Sequence, residues 1–455
     1  LALDRDAPGA LPDQLEDAIR RMVGRGELSA GVRLPSSRGL AAQLGVSRGV
    51  VVEAYDRLQR QGVLHARAGA GVRVADAIEA MPPSSDASID ARRFAWRFHP
   101  ALVPHATFDR RAWRTAALAA LTDLDEETLR DPAPGGVPAL RAALVEQLRR
   151  SRGINGDAAD VVVTGGVTDS LGRLAALLRS RGTVAVEEPG FVLHRATLAA
   201  AGCSVVSVAT DASGINVDAL ARSGAASVLL TPAHQMPLGV PLSGERRAAV
   251  LRWAQASDGV VLEDDYDGEL RYDRRSVRAL QALDPSRVVY LGTTSKVLSP
   301  AVRIGWMVVP PALRASVGGL AAVAGGTPGT VEQHALAVLL KSGAFDRGVA
   351  RLRRRCAVQR AALTHALATT LPSVAVDGVQ AGLALTLRLP GVDAAAVMHA
   401  ADVRDVELYA VPDGSDAVVL VGFGDVHESR AKAAAVVLAA IVAEASGAPA
   451  LCAAA

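Results

Sequence analysis

Gly292-Thr-Thr-Ser-Lys296-Val-Leu-Ser-Pro-Ala-Val-Arg303-Ile-Gly305 carries more meaning than any other stretch of this chain. Lysine is scarce: of 49 basic residues only Lys296, Lys341 and Lys432 are not arginine. Arginine stays protonated and cannot form a Schiff base, whereas a lysine amine can lose its proton and attack an aldehyde. The hydroxyls of Thr293 and Ser295 and the guanidinium of Arg303 suit a phosphate beside such an amine. Lys341 and Lys432 have no such company and read as surface residues.

With 455 residues the chain has room for two or three domains. It is 50% hydrophobic and 21% charged, the composition of a folded protein, and a net charge of +2 excludes a polybasic one. Cys203, Cys356 and Cys452 are scattered, without a Cys-x-x-Cys or Cys/His spacing, which points to a reducing compartment and away from a disulfide frame or a metal site. The Ala-rich run 433–443 is too short to span a bilayer, and residues 1–12 lack a signal-peptide pattern, so a cytoplasmic protein without a membrane partner is expected.

The first 75 residues are arginine-rich and lysine-free. Residues 11–25 have helical periodicity, with Leu15, Ile19 and Met22/Val23 on one face. A second helix begins after Pro35 with a serine cap and ends at Gly45-Val46. A third follows Ser47 through Gln61, turning Val50/Val51, Ala54/Tyr55 and Leu58 inward. Residues 62–67 and 72–74 read as short strands around a glycine turn. This is a winged helix-turn-helix domain over 1–75, in which Arg38, Ser47 and Arg48 supply donors to double-stranded DNA. The wing from Arg67 through Gly69 to Gly71 can reach the backbone or minor groove. The string from Gly26 to Arg48, with Leu34-Pro-Ser-Ser-Arg38 and Gly45-Val-Ser-Arg48, resembles the winged helix of GntR-type regulators. The resemblance implies DNA contacts by Arg38, Ser47 and Arg48. Gly49 and Val50 stand where relatives often have threonine, so base readout at Gly49 is expected to differ.

Residues 76–93 contain Pro82-Pro-Ser-Ser and no periodicity, and read as a linker. From 94 to 455 short β-branched runs alternate with helical stretches, as at 161–163, 183–186, 227–230, 259–262, 288–291 and 306–309. That pattern indicates an α/β domain with a mostly parallel sheet covered on both faces.

Four more segments lie at ends of these strands. Thr164-Gly-Gly166-Val167-Thr168-Asp offers free amides at a helix start, Glu187-Glu-Pro-Gly-Phe191 a flat ring, and Thr231-Pro-Ala-His-Gln-Met-Pro-Leu-Gly239 a loop. Glu263-Asp264-Asp-Tyr266-Asp267 offers carboxylates and a phenol. Singly, these also fit an ordinary turn, a core aromatic and a solvated acidic loop. In this order, ending with Ser295-Lys296 and Arg303, they resemble a fold-type I aminotransferase. Fused to the GntR head, the whole chain resembles the MocR subfamily of transcription regulators.

The resemblance implies pyridoxal 5′-phosphate (PLP) on Lys296, with Asp264 at its ring nitrogen, Tyr266 at the 3′ oxygen and Phe191 stacking on the ring. Gly166, Val167, Thr168, Thr293, Ser295 and Arg303 would cup the phosphate. It also implies a homodimer. Active aminotransferases have asparagine where Met236 stands and a carboxylate-binding arginine where Leu420 stands. Leu129-Arg-Asp-Pro-Ala-Pro-Gly135 lacks a commonly present tyrosine, and Gly348, Ala350 and Cys356 replace further polar positions. The expectation is a regulator that senses PLP, with control of vitamin B6 supply, or an amine or amino acid, and transaminates slowly or in part. The rivals are a working aminotransferase with a DNA-binding appendage and a repressor whose second domain only dimerises.

Overall fold

Alternate residues along each buried strand serve opposite faces of one sheet, and this sets the architecture of the larger part of the chain. A computed structural model describes residues 3, 10–24, 27–28, 31–60, 63–67, 71–75, 94–104, 107–130, 133–272, 277–317 and 327–447. The expected linker 76–93 and Gly69 lie outside the described residues. The chain divides into two compact units, Leu1–Arg92 and Arg93–Ala455.

The first unit contains helices α1 (Leu11–Gly24), α2 (Ser37–Leu44) and α3 (Arg48–Arg60), and strands β1 (Leu64–Arg67) and β2 (Gly71–Val74). Ser36 caps α2 by accepting the Gly39 N–H at 3.1 Å, and Gly45 ends it in the left-handed conformation that glycine adopts without strain. Leu15, Ile19, Val51, Ala54, Tyr55 and Leu58 form its core. Val50 is half-buried and packs against this core from its edge. β1 and β2 pair antiparallel, from Leu64 with Val74 to Arg67 with Gly71.

In the second unit β3 (Trp96–Arg97) precedes β4 (Val161–Thr164), β5 (Val184–Glu188), β6 (Val205–Asp211), β7 (Gly214–Ile215), β8 (Ser227–Leu230), β9 (Val260–Asp264), β10 (Val288–Thr293) and β11 (Gly305–Val308). The large sheet runs β4-β11-β10-β9-β8-β5-β6-β7. The five strands from β10 to β6 are parallel, whereas β11 is antiparallel to both its neighbours. Val184, Val186, Leu229, Leu262 and Leu291 pack with the helix Val167–Arg181 through Leu171, Leu174 and Leu178. Ala185, Val228, Leu230, Val261 and Val288 pack on the opposite face with Val250, Leu251 and Trp253 of the helix Gly244–Ala256. Each fully buried Leu or Val contributes about 1.5–3 kcal/mol to this two-sided core.

β12 (Val376–Asp377), β13 (Ala384–Leu389), β15 (Tyr409–Asp413) and β16 (Asp416–Gly422) form a separate antiparallel sheet, and β14 (Val406–Glu407) pairs with β3. Gly422 donates its N–H to Phe98 O at 2.9 Å, and a Cβ there would come within 2.1 Å of His99 O. Only glycine lets the segment at Phe98–Pro100 cross β16 this closely, and that crossing brings Pro100 to the cleft described below. Among the described residues no helix is long and apolar enough to cross a membrane.

Candidate functional site

Because β5, β8, β9 and β10 are parallel, their C-terminal ends open on one edge of the sheet, where α/β folds gather ligand groups. β9 ends at Asp264, which is buried. Its Oδ2 lies 2.8 Å from His194 Nε2, while Oδ1 is buried with no hydrogen-bond partner. Phe191, half-buried, begins the helix Val192–Ala200 that carries His194, and the two rings meet edge to face with centroids 5.1 Å apart. The sequence reading found Phe191 but not His194. One helical turn separates them, so Phe-x-x-His was the available signal.

Tyr266 donates its hydroxyl to His234 O at 2.9 Å, and burial, aided by the charges of Asp267 and Asp264, pushes its pKa well above the usual phenol value. It is therefore a protonated donor at neutral pH. His234 Nδ1 lies 2.7 Å from Asp267 Oδ2, and both residues are buried. The sequence places Asp267 among the carboxylates after β9 and His234 in the Thr231–Gly239 loop, without showing that they pair.

Lys296 occupies the turn after β10 and lines a cleft with His234, Tyr266 and Asp267. Burial lowers its pKa, against the opposing pull of Asp267 and Asp264. A larger fraction of its amine is thus neutral than for a free lysine, which favours nucleophilic use. Thr294 anchors this turn: its N–H and its hydroxyl both donate to Ile304 O, at 2.9 and 2.8 Å. Lys296 is thereby held close to the returning strand that follows Arg303.

Gly166 caps the helix Val167–Arg181 with φ 119°, and the first helical N–H to find a partner is that of Ser170, bonded to Gly166 O at 2.9 Å. The amides of Val167 and Thr168 precede it, so this end of a 15-residue helix retains donors for an anion. Asp169 in the same turn accepts the Gly165 N–H at 2.7 Å and pairs with Arg173 at 2.9 Å, which offsets its charge. Thr293 Oγ1 faces Gly166: a Cβ built there would lie 4.0 Å away. Thr293 and Ser295 are joined by a 3.0 Å hydroxyl contact. A Cβ on Gly305 would come within 2.6 Å of Gly166 Cα, so this close approach of β11 to the turn needs glycine. Arg303, exposed and left-handed at φ 53°, ends the short turn Pro300–Val302. Gly166, Thr293 and Ser295 are thus brought together, with Val167 and Thr168 in the adjoining helical turn.

Met236 and Leu420, distant in sequence, line the same cleft as Lys296. The arrangement offers an amine nucleophile, an unpartnered carboxylate oxygen, an aromatic platform and an anion-binding turn along one sheet edge. It suits a flat, nitrogen-bearing aldehyde carrying a phosphate.

In the first unit Arg38, Ser47, Arg48 and Gly49 are all exposed. They cluster because α2 and α3 start near one another: Arg48 Nε donates to Ser37 Oγ at 3.4 Å. Tyr55 holds the approach to α2 by donating to Pro35 O at 3.0 Å. Arg67 ends β1 at the wing.

Residues 11–74 match the bacterial regulatory proteins of the gntR family, and residues 107–417 match aminotransferase class I and II. The chain is 33% identical over 449 residues to the HTH-type pyridoxine biosynthesis transcriptional regulator PdxR of Corynebacterium glutamicum, covering 94% of this chain and 95% of that one. It is 34% identical over 376 residues to the probable rhizopine catabolism regulatory protein MocR of Rhizobium meliloti, covering 78% and 76%. Kynurenine aminotransferase of Pyrococcus horikoshii shares the fold of the second unit, with a TM-score of 0.71 at 23% identity over 78% of this chain and 93% of that one.

Proposed function

The chain belongs to the GntR family of bacterial regulatory proteins, as a MocR-type transcription regulator with an aminotransferase class I and II domain, and from that premise we propose that it is a homodimeric sensor of PLP whose loading changes its affinity for an operator. The observation that carries the reading is the buried, unpartnered Oδ1 of Asp264 on the same edge as Lys296. A buried carboxylate oxygen without a donor costs stability unless a ligand supplies one.

Lys296 would hold the cofactor covalently, and burial, by lowering its pKa, leaves more of its amine neutral than in a free lysine. Asp264, fixed by His194, would present Oδ1 to the ring nitrogen. Tyr266 would turn its hydroxyl from His234 O to the 3′ oxygen, and Phe191 would cover the ring. Gly166, Val167, Thr168, Thr293, Ser295 and Arg303 would take the phosphate. Bound there, PLP supplies an aldehyde that captures primary amines and a ring that draws electrons.

Arg38, Ser47, Arg48 and the wing residues Arg67 and Gly69 contact double-stranded DNA, with readout at Gly49 set by the absence of a side chain. Residues 1–75 form the DNA-binding head, 76–93 the linker and 94–455 the effector domain of a cytoplasmic protein. Regulation is a coupling free energy: closure of the effector domain on PLP favours one spacing of the two heads. The name of the Corynebacterium relative supports pyridoxine supply as the regulated process. Transamination is at most slow, since Met236 and Leu420 leave no clamp for a substrate carboxylate.

Titration of cofactor-free protein with PLP, followed by visible absorbance, tests the premise. One cofactor per chain in wild type, and no covalent absorbance in Lys296→Ala, is expected. A wild-type chain that takes up no PLP contradicts the reading.

A further inference from the structure

The cleft beside Lys296 is lined by several apolar residues and one carboxylate, Asp267. Pro100, Met236, Pro237, Leu383 and Leu420 wall it, and Lys296 is the only lysine or arginine among the described residues lining it. Its neutral polar groups are already committed: Tyr266 donates to His234 O at 2.9 Å, and Thr386 Oγ1 donates to Pro237 O at 2.9 Å.

Asp267 is different. It is 3% exposed, its Oδ2 lies 2.7 Å from His234 Nδ1, and its Oδ1 is buried with no hydrogen-bond partner. Its charge reaches Lys296, so the nearest fixed charges are negative. His99 adds no fixed positive charge: burial, with the charge of Lys296 pushing the same way, lowers its pKa, and its Nδ1 accepts the Ala101 N–H at 3.0 Å. An anion entering this cleft would lose water among apolar groups, beside a buried carboxylate and without a free cation. A protonated amine would approach a partner for its charge and seat an apolar body against Met236 and Leu420.

Resting on the assignment of Lys296 as the cofactor lysine, we propose that this cleft admits small primary amines with an apolar body and no carboxylate, and refuses the α-amino acids from which such amines differ by that carboxylate alone. Leu420 and Met236 set the preference for the apolar body, and Asp267 sets the charge preference.

The test compares matched pairs on the PLP-loaded full chain: 3-methylbutylamine against leucine, and 2-phenylethylamine against phenylalanine. Loading is first verified by borohydride reduction and a mass tag on Lys296. Absence of the tag would overturn the cofactor assignment itself, before any amine is added. With the tag present, calorimetry and the shift in cofactor absorbance are expected to give half-saturation by each amine at a concentration at least about tenfold lower than by its amino acid. Equal or tighter binding of the amino acids, or saturation by neither member of a pair, would overturn the proposal. Leu420→Arg is expected to tighten leucine binding about tenfold or more by supplying the missing cation. Its melting curve and cofactor content show whether it folds and loads. A folded, loaded L420R that binds leucine no better than wild type would overturn the role given to Leu420, and the matched pairs on wild type decide the rest even if this variant does not fold.

Discussion

His194 Nε2 sits 2.8 Å from Asp264 Oδ2 and leaves the other carboxylate oxygen buried and unpartnered. The contact spans 70 residues and joins the start of a helix to the end of a central strand. It fixes which oxygen is free and where it stands. Asp264→Asn removes the charge while keeping the size, and is expected to weaken PLP retention by about 2–5 kcal/mol, the range for breaking a buried charge pair. Equilibrium dialysis of wild type and D264N measures this. His194→Ala should weaken retention less, because it only orients Asp264. Unchanged retention in D264N would remove Asp264 from the site.

Borohydride reduction of the loaded protein should label Lys296 and neither Lys341 nor Lys432, and K296A should carry no label. The sign of the pH dependence follows from its pKa, which burial lowers. Capture of PLP should therefore persist to lower pH than with a free lysine amine, and fall as the amine becomes protonated. Peptide mass mapping over a pH series reads both results.

The exposed head residues make separable predictions. If Arg48 reads a base edge, Arg48→Ala costs about 1–3 kcal/mol at the operator and relaxes sequence preference. If Arg38 meets a phosphate, Arg38→Ala weakens all sequences alike and lowers the salt slope by about one. Fluorescence anisotropy against operator and scrambled duplexes at several salt concentrations distinguishes them. No change in either variant would exclude the head as reader.

Beneath the acidic loop lies a structural ion pair. Arg152 Nε is 2.6 Å from Asp265 Oδ2, both side chains are nearly inaccessible, and Tyr290 donates to the same oxygen at 2.6 Å. Arg152→Ala strands a buried carboxylate and should destabilise the second unit by about 3–5 kcal/mol. Denaturant melts test this. A loss under about 1 kcal/mol would mean that Asp265 protonates or gains water instead.

Much of this was legible in sequence for physical reasons. β4, β5 and β8 to β11 are buried on both faces, so their continuous apolar runs mark them without knowledge of the fold. β6 escaped notice because only Val208 is buried within it, which leaves a weak pattern. The helix Val167–Arg181 begins at the Gly166 cap, ahead of its first buried apolar residue, Leu171, so its start is not marked by apolar periodicity. Phe191, Asp264, Tyr266 and Lys296 each end or follow a strand, a local signal. His194, and the pairing of His234 with Asp267, became visible only through contacts across the sheet edge. That Met236 and Leu420 share one cleft with Lys296 likewise depends on the crossing of β16 by Phe98–Pro100, which no local pattern announces.

The central claim is that PLP occupancy changes DNA affinity, since a ligand shifts an equilibrium only by its differential affinity for two states. The direct measurement is an operator-binding titration of apo and PLP-loaded protein at fixed salt, with K296A as a third sample. The account predicts a difference in affinity or footprint between apo and loaded wild type, and none upon adding PLP to K296A. Equal affinities and footprints for apo and loaded wild type, with a change only after an amine is added, would contradict it.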